Sequence, residues 1–189
     1  MKKYFINCGG HDGGSARWFR DVIDKKSEYH IHSFEPDPRF MRSYLDLKNH
    51  TFHRKAIWIY DGRIDFYLSN TNLGNGSSLL KTKKTGYLDK KNPIGIQCID
   101  FSQWIKKHFQ KEDDIILKLD IEGAEYEVLN KMIEDDTLCY INELMISWHW
   151  YRFSDMTHEQ HNAFLEKLKK NLKIPIKRWR FVQYSKYSK

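Results

Sequence analysis

Short β-rich runs alternate with helical stretches along almost the whole chain, and no other feature narrows the fold as far. Parallel strands need a crossover, which a helix supplies, so the alternation predicts a mostly parallel sheet flanked by helices. Lys3–Cys8 reads as the first strand, followed by a helix from Ser15 to about Asp24 with Trp18, Phe19, Val22 and Ile23 at helical spacing. His30–Phe34 is a second strand, closed by Glu35-Pro36-Asp37-Pro38, and Pro38 suits the first turn of a helix reaching about Leu47. Residues 51–60 and 63–68 read as a hairpin turned at Asp61-Gly62. A strand over 94–99 leads to Asp100, placed to cap a helix carrying Phe101, Trp104, Ile105 and Phe109. Residues 115–120 form a strand that runs into Ile121-Glu122-Gly123-Ala124 and a helix bearing Tyr126, Val128, Leu129, Met132 and Ile133. Residues 140–148 read as another strand, and Thr157 with Gln160 makes a capping box for a helix to Lys170. Residues 174–184 leave room for one or two edge strands. No repeat and no domain boundary emerges, so residues 1–189 read as one domain. Within it, 69–93 has no period and is expected to be a flexible substrate loop.

Composition closes off several classes. With 40% hydrophobic and 15% aromatic residues among 189, the chain can bury a core, which excludes a wholly disordered protein. Ten glycines and four prolines exclude a collagen-like one. The excess of 32 basic over 25 acidic residues, +7, suits an anionic partner such as nucleic acid or a phosphorylated substrate, and equally a solvated lysine-rich surface. Cys8, Cys98 and Cys139 are scattered, which argues against a disulfide framework or a structural zinc site. There is no apolar run of membrane-spanning length, and Met1-Lys2-Lys3-Tyr4-Phe5-Ile6 lacks the features of a signal peptide. A reducing, cytoplasmic location without membrane partners is the expectation; the sequence indicates no oligomeric state.

Four constellations could carry chemistry. Gly9-Gly10-His11-Asp12-Gly13-Gly14 follows the first strand directly, where glycines permit a tight turn and let backbone N–H groups approach a ligand. Its pairs Gly9/Gly13 and Gly10/Gly14 do not fit GxGxxG, which disfavours a nicotinamide enzyme. Glu35 stands at the end of strand two, 22 residues after Gly13, where an acid in a nucleotide-binding sheet accepts hydrogen bonds from ribose hydroxyls. Asp120 and Glu122 lie together at the carboxyl end of a buried strand, able to bind a divalent metal, act as base, or merely cap the next helix. Glu125 reads as an exposed first-turn acid. Finally, His149 in Ser147-Trp148-His149-Trp150 emerges at the same sheet edge as Asp120, as a base or metal ligand; Glu143, earlier in that strand, reads as structural.

Together, Asn7-x-Gly9-x-x-x-Gly13, Phe34-Glu35-Pro36 and Lys118-Leu119-Asp120-Ile121-Glu122-Gly123-Ala124-Glu125 with Val128-Leu129 resemble the FkbM family of S-adenosylmethionine-dependent methyltransferases, over about residues 4 to 150. The resemblance implies an α/β, Rossmann-like class I fold, with a mostly parallel twisted sheet flanked by helices on both faces. It implies O-methylation of a hydroxyl of a sugar or glycan. Two departures stand out: the family usually has Asp where this chain has Asn7, and an acid where it has Ser147. On this reading Asn7, Gly9, Gly13, Glu35 and Ala56 hold S-adenosylmethionine. Asp120, His149 and Glu122 act on the acceptor hydroxyl, and the same three could hold a divalent cation, Mg or Mn. The alternative is a nucleic-acid methyltransferase or RNA-binding module using Lys177-Arg178-Trp179-Arg180-Phe181. No RNP, helix-turn-helix or zinc pattern accompanies that tail, which disfavours nucleic acid.

Overall fold

The computed structural model of the protein describes residues 1–71 and 73–180. In chain order its elements are β1 (Lys3–Cys8), α1 (Gly14–Trp18), β2 (His30–Phe34), β3 (His50–His53), β4 (Ala56–Trp58), β5 (Gly62–Phe66), β6 (Ile94–Asp100), α2 (Phe101–His108), β7 (Asp114–Leu119), α3 (Glu125–Glu134), β8 (Glu143–Ile146), α4 (His158–Asn171) and β9 (Ile176–Arg178). Six strands form the main sheet, in the order β3-β2-β1-β7-β8-β9. Every neighbouring pair in it is parallel, as the alternating sequence predicts. The order reverses between β1 and β7, and the crevice at such a switch point, beyond the carboxyl ends of the strands, is where open α/β sheets take ligands.

Strand alternation divides the core between the two faces. Ile115, Leu117 and Leu119 of β7 join Ile6 and Cys8 of β1 against α2, α3 and α4. Phe5 and Ile116 turn the other way, onto Phe19 and Trp179. Asp100 caps α2 by accepting from the Gln103 N–H at 3.0 Å, and Thr157 and Gln160 form the predicted capping box of α4.

Several local expectations change. Asp61-Gly62 does not close a hairpin: β6 lies between β4 and β5, parallel to one and antiparallel to the other. Apolar β6 buries more by pairing on both edges, and Asp61 Oδ1 accepts from Asp100 N at 3.2 Å, tying the bend to the end of β6. The helix expected to Asp24 is five residues of α-helix followed by a π-helical turn, Phe19–Ile23. The wider turn rotates Val22 and Ile23 off the apolar stripe, leaving them exposed. After Pro38 the chain makes a 3-10 helix to Tyr44 rather than an α-helix, begun by Asp37 accepting from Arg39 N at 3.0 Å. The strand expected over 140–148 shortens to β8, preceded by a 3-10 turn, Leu138–Tyr140. One strand, β9, falls within the predicted 174–184 region; residues 181–184 lie outside the described residues. Segment 69–93 carries isolated bridges, Tyr67 to Ser78, Ser69 to Leu88 and Lys83 to Phe153, which lay it beside the carboxyl edge of the sheet.

Candidate active site

A cleft of about 1230 Å³ opens beyond the carboxyl ends of β1, β2, β7 and β8. Six of the eight predicted site residues line it: Gly9, Glu35, Ala56, Asp120, Glu122 and His149. Asn7 and Gly13 do not. Asn7 is fully buried, donating to Ser33 Oγ at 3.1 Å and accepting from Ser15 Oγ at 2.9 Å, so its amide is spent on joining β1, β2 and α1. Gly13 precedes α1. Gly9 has φ +73°, and a Cβ there would lie 1.9 Å from the Asp120 carbonyl oxygen. Only glycine lets the ends of β1 and β7 meet this closely. Gly9 and Gly10 both donate to the Phe34 carbonyl, which draws the turn toward β2.

Glu35 is buried and accepts two backbone amides, from His11 to Oε2 and from Asp37 to Oε1, each at 2.8 Å. Burial raises its pKa above the usual carboxylate range, outweighing the two N–H groups that favour the charged form. Each oxygen keeps a lone pair, so the carboxylate can still accept from a ribose hydroxyl.

Across the cleft stands a chain of ionisable groups. Glu125 is fully buried, not an exposed first-turn acid: its carboxylate folds back to accept from Ile121 N at 3.0 Å and Gly123 N at 2.9 Å. That bonding pins the strand-to-helix turn. Within it Glu122 has φ +55° and Gly123 φ +110°, and a Cβ on Gly123 would come within 2.1 Å of the Phe153 ring. Glu125 Oε1 also lies 2.7 Å from His149 Nδ1. The imidazole Nε2 is thereby aimed at Asp120 Oδ1, 3.5 Å away, and Glu122 Oε1, 3.8 Å away. Burial alone would push the His149 pKa down, but Glu125, Glu122 and Asp120 outweigh it and raise the ring to about 9. For Glu122 burial acts upward and is overcome by His149, Lys83 and Arg152, which bring the carboxyl down to about 2. Lys83 donates to Glu122 Oε2 at 2.8 Å, while Arg152 reaches Oε1 at 3.0 Å and Oε2 at 2.7 Å. Buried Lys118 donates to the Gly9 carbonyl at 2.7 Å and sits 3.7 Å from Asp120 Oδ2.

One donor atom each from Asp120, Glu122 and His149 fall within 4.8 Å of one another, a spacing open to a metal ion. The donor chemistry does not fit one. Lys83 and Arg152 take both lone pairs of Glu122 Oε2, and Arg152 takes one on Oε1, so this carboxylate already carries two cations. S-adenosylmethionine fits better. The Gly9 turn leaves no room for a side chain, Glu35 offers free lone pairs, and Lys55, Ala56 and Ile57 line the cleft beside them.

Sequence reasoning missed Glu125, Lys83, Arg152 and Lys118. Lys118 was visible within the Lys118–Glu125 run as a charge inside an apolar strand. Lys83 and Arg152 carried no signal, because only the tertiary fold brings them to Glu122. In the basic tail, Trp179 is buried against Trp18, with ring centroids 4.9 Å apart, so it presents no open stacking face; Phe181 lies outside the described residues. Among the described residues no helix is long and apolar enough to cross a membrane.

No curated protein and no solved structure matches the chain. The family model for the methyltransferase FkbM domain matches residues 7–172, from the β1 glycine turn to just past α4. The parallel main sheet with its reversal between β1 and β7, and the cleft beyond it, are consistent with that match; the chain belongs to the FkbM methyltransferase family.

Proposed function

We propose that the protein is an S-adenosylmethionine-dependent O-methyltransferase whose acceptor is a hydroxyl of a sugar or glycan. The observation that carries this reading is that His149 Nε2 and the Asp120 carboxylate share one cleft with Glu35 and the Gly9 turn. When bound, the cofactor supplies a methyl group already activated on a sulfonium. Glu35 would accept from its ribose hydroxyls, and the backbone around Gly9 would face its methionine end. This chain's remaining task is to orient an alkyl hydroxyl for in-line attack and to take one proton. His149 suits the second part: Glu125 holds Nδ1, so Nε2 of the neutral ring can accept the hydroxyl proton, with Asp120 beside it to stabilise the imidazolium that forms. No step is assigned to a metal.

Exposed Tyr151 lines the cleft and offers an aromatic ring to a sugar, whereas Trp148 and Trp150 pack on His161. The free thiols of Cys8, Cys98 and Cys139 accord with a reducing, cytoplasmic setting. Titration calorimetry with S-adenosylmethionine tests the reading. Binding that Glu35→Ala weakens supports it, and no heat at millimolar ligand would sink it.

A further inference from the structure

Lys83 comes from the 69–93 segment, remote in sequence from every motif of the site, yet its side chain is buried at 0% exposure. A buried ammonium is costly unless its protons are taken up. Two of the three are taken up here: Lys83 donates to Glu122 Oε2 at 2.8 Å and to the Gly76 carbonyl. The segment around it is fastened to the same turn, Ser78 Oγ donating to the Glu122 carbonyl at 2.8 Å and Lys84 N to the Arg152 carbonyl at 2.8 Å. Arg152 then binds both oxygens of the carboxylate that Lys83 holds.

The geometry points to Lys83 as a positioning residue that, with Arg152, supplies the cationic charge of the Asp120–Glu122–His149 set from within the chain and closes it to a divalent ion. Metal ligation needs lone pairs directed at the ion, and of the four on Glu122 three are directed at nitrogen, leaving one on Oε1. Charge points the same way. Asp120 faces Lys118, Glu122 faces both Lys83 and Arg152, and Glu125 is paired with His149. A divalent ion would enter an already balanced cluster. Glu122 is thus an anchor for the 69–93 segment and a fixed charge beside His149 rather than a free ligand. The inference rests on the proposed methyl transfer only for what the positioned groups do; the cation's place is independent of it.

The experiment is a Mn²⁺ titration followed by the loss of the free-ion electron paramagnetic resonance signal, on the full chain and on Lys83→Met, Lys83→Arg and Arg152→Gln. The wild type and Lys83→Arg should leave the Mn²⁺ signal unchanged. Lys83→Met, of similar length without the charge, should gain Mn²⁺ binding that Glu122→Gln in the same background removes. Wild-type protein that takes up one Mn²⁺, lost in Asp120→Asn, overturns the inference, as does a folded Lys83→Met that binds none. Should Lys83→Met fail to fold, Arg152→Gln, altered at a more exposed side chain, is read by the same criterion. S-adenosylhomocysteine calorimetry on the same samples keeps the two readings apart. Absent cofactor binding counts against methyl transfer alone, and Mn²⁺ uptake by the wild type counts against the Lys83 assignment alone.

Discussion

At the residue scale the site depends on how Glu125 and Gly9 are held. His149 is protonated below about pH 9, so if its neutral ring takes the hydroxyl proton, methyl transfer should climb with pH and level off above about 9. Glu125→Gln removes the strongest of the charges that raise the ring. Its pH profile should therefore move toward lower pH while the plateau rate falls roughly 100-fold, because the ring loses its orienting carboxylate. A profile that keeps its midpoint in this variant would take the proton away from His149. The same shift acts on stability. The folded pKa lies above the ordinary value of 6.5, so this contribution is complete below pH 6.5 and disappears as pH rises through about 9. Gly9 tests the backbone. Alanine there adopts φ +73° and drives its Cβ into the Asp120 carbonyl, so urea denaturation of Gly9→Ala should show a loss of about 2–5 kcal/mol. A loss under about 0.5 kcal/mol, the ordinary surface value, would mean that β1 and β7 do not meet as described.

Elements were legible where one force decided them and illegible where two competed. The strands β1 and β2 and the caps of α2 and α4 follow from apolar runs and single capping side chains, and the structure has them as read, with β7 one residue earlier than its expected 115–120. The false hairpin at Asp61-Gly62 shows the limit: its turn chemistry is local, whereas the insertion of β6 is decided by burial of Ile96, Cys98 and Ile99, far along the chain. Glu125 fails as a reading for a related reason. A first-turn acid is ordinarily solvated, and only the left-handed residues Glu122 and Gly123 turn backbone N–H groups toward this one. Individually unremarkable histidines on β2 and β3 also become a group once the strands pair. His32 Nδ1 lies 3.0 Å from His53 Nε2, beside Trp104, and His50 Nε2 is buried without a hydrogen bond. Burial, then the neighbouring histidines, hold His32 down to about 3; burial leads again for His50 and, with Lys55, for His53, both at about 4. With folded values below 6.5, the unfolded chain binds more protons across that window, so stability is intact above pH 6.5 and erodes as pH falls toward 4. The urea midpoint should drop between pH 7 and pH 5, and His32→Gln should flatten that drop; equal slopes in the two proteins would dismiss the strand-edge histidines as its cause.

For the whole molecule, the +7 charge and the carboxyl-edge cleft make separate demands. Cations face carboxylates there: Lys83 and Arg152 meet Glu122 in the cleft wall, and Lys118, buried beneath it, meets Asp120. The net charge of the chain is therefore a poor guide to the site, and charge composition could not have revealed its ligand. What links the site to the global fold is the meeting of β1, β2 and β7 at Gly9, Glu35 and Asp120. Any ligand held there stabilises the entire parallel sheet by mass action. Saturating the cleft with S-adenosylhomocysteine at about 100 times its Kd should add about 2.7 kcal/mol. In a chain of this size that raises the melting temperature by roughly 5–10 °C. Glu35→Gln should lose most of the increment, since the ligand then lacks its charged acceptor; the variant's own melting point falls by several degrees, because its NH2 group faces one of the two backbone N–H donors that the carboxylate accepts from, and the increment is read against that lowered baseline. Mn²⁺ alone should leave the curve where it is, because the chain's own ammonium and guanidinium already neutralise Glu122. A melting curve raised by Mn²⁺ and indifferent to S-adenosylhomocysteine would reverse the assignment, making the Asp120–Glu122–His149 set a metal site and leaving Glu35 and the Gly9 turn as scaffolding alone.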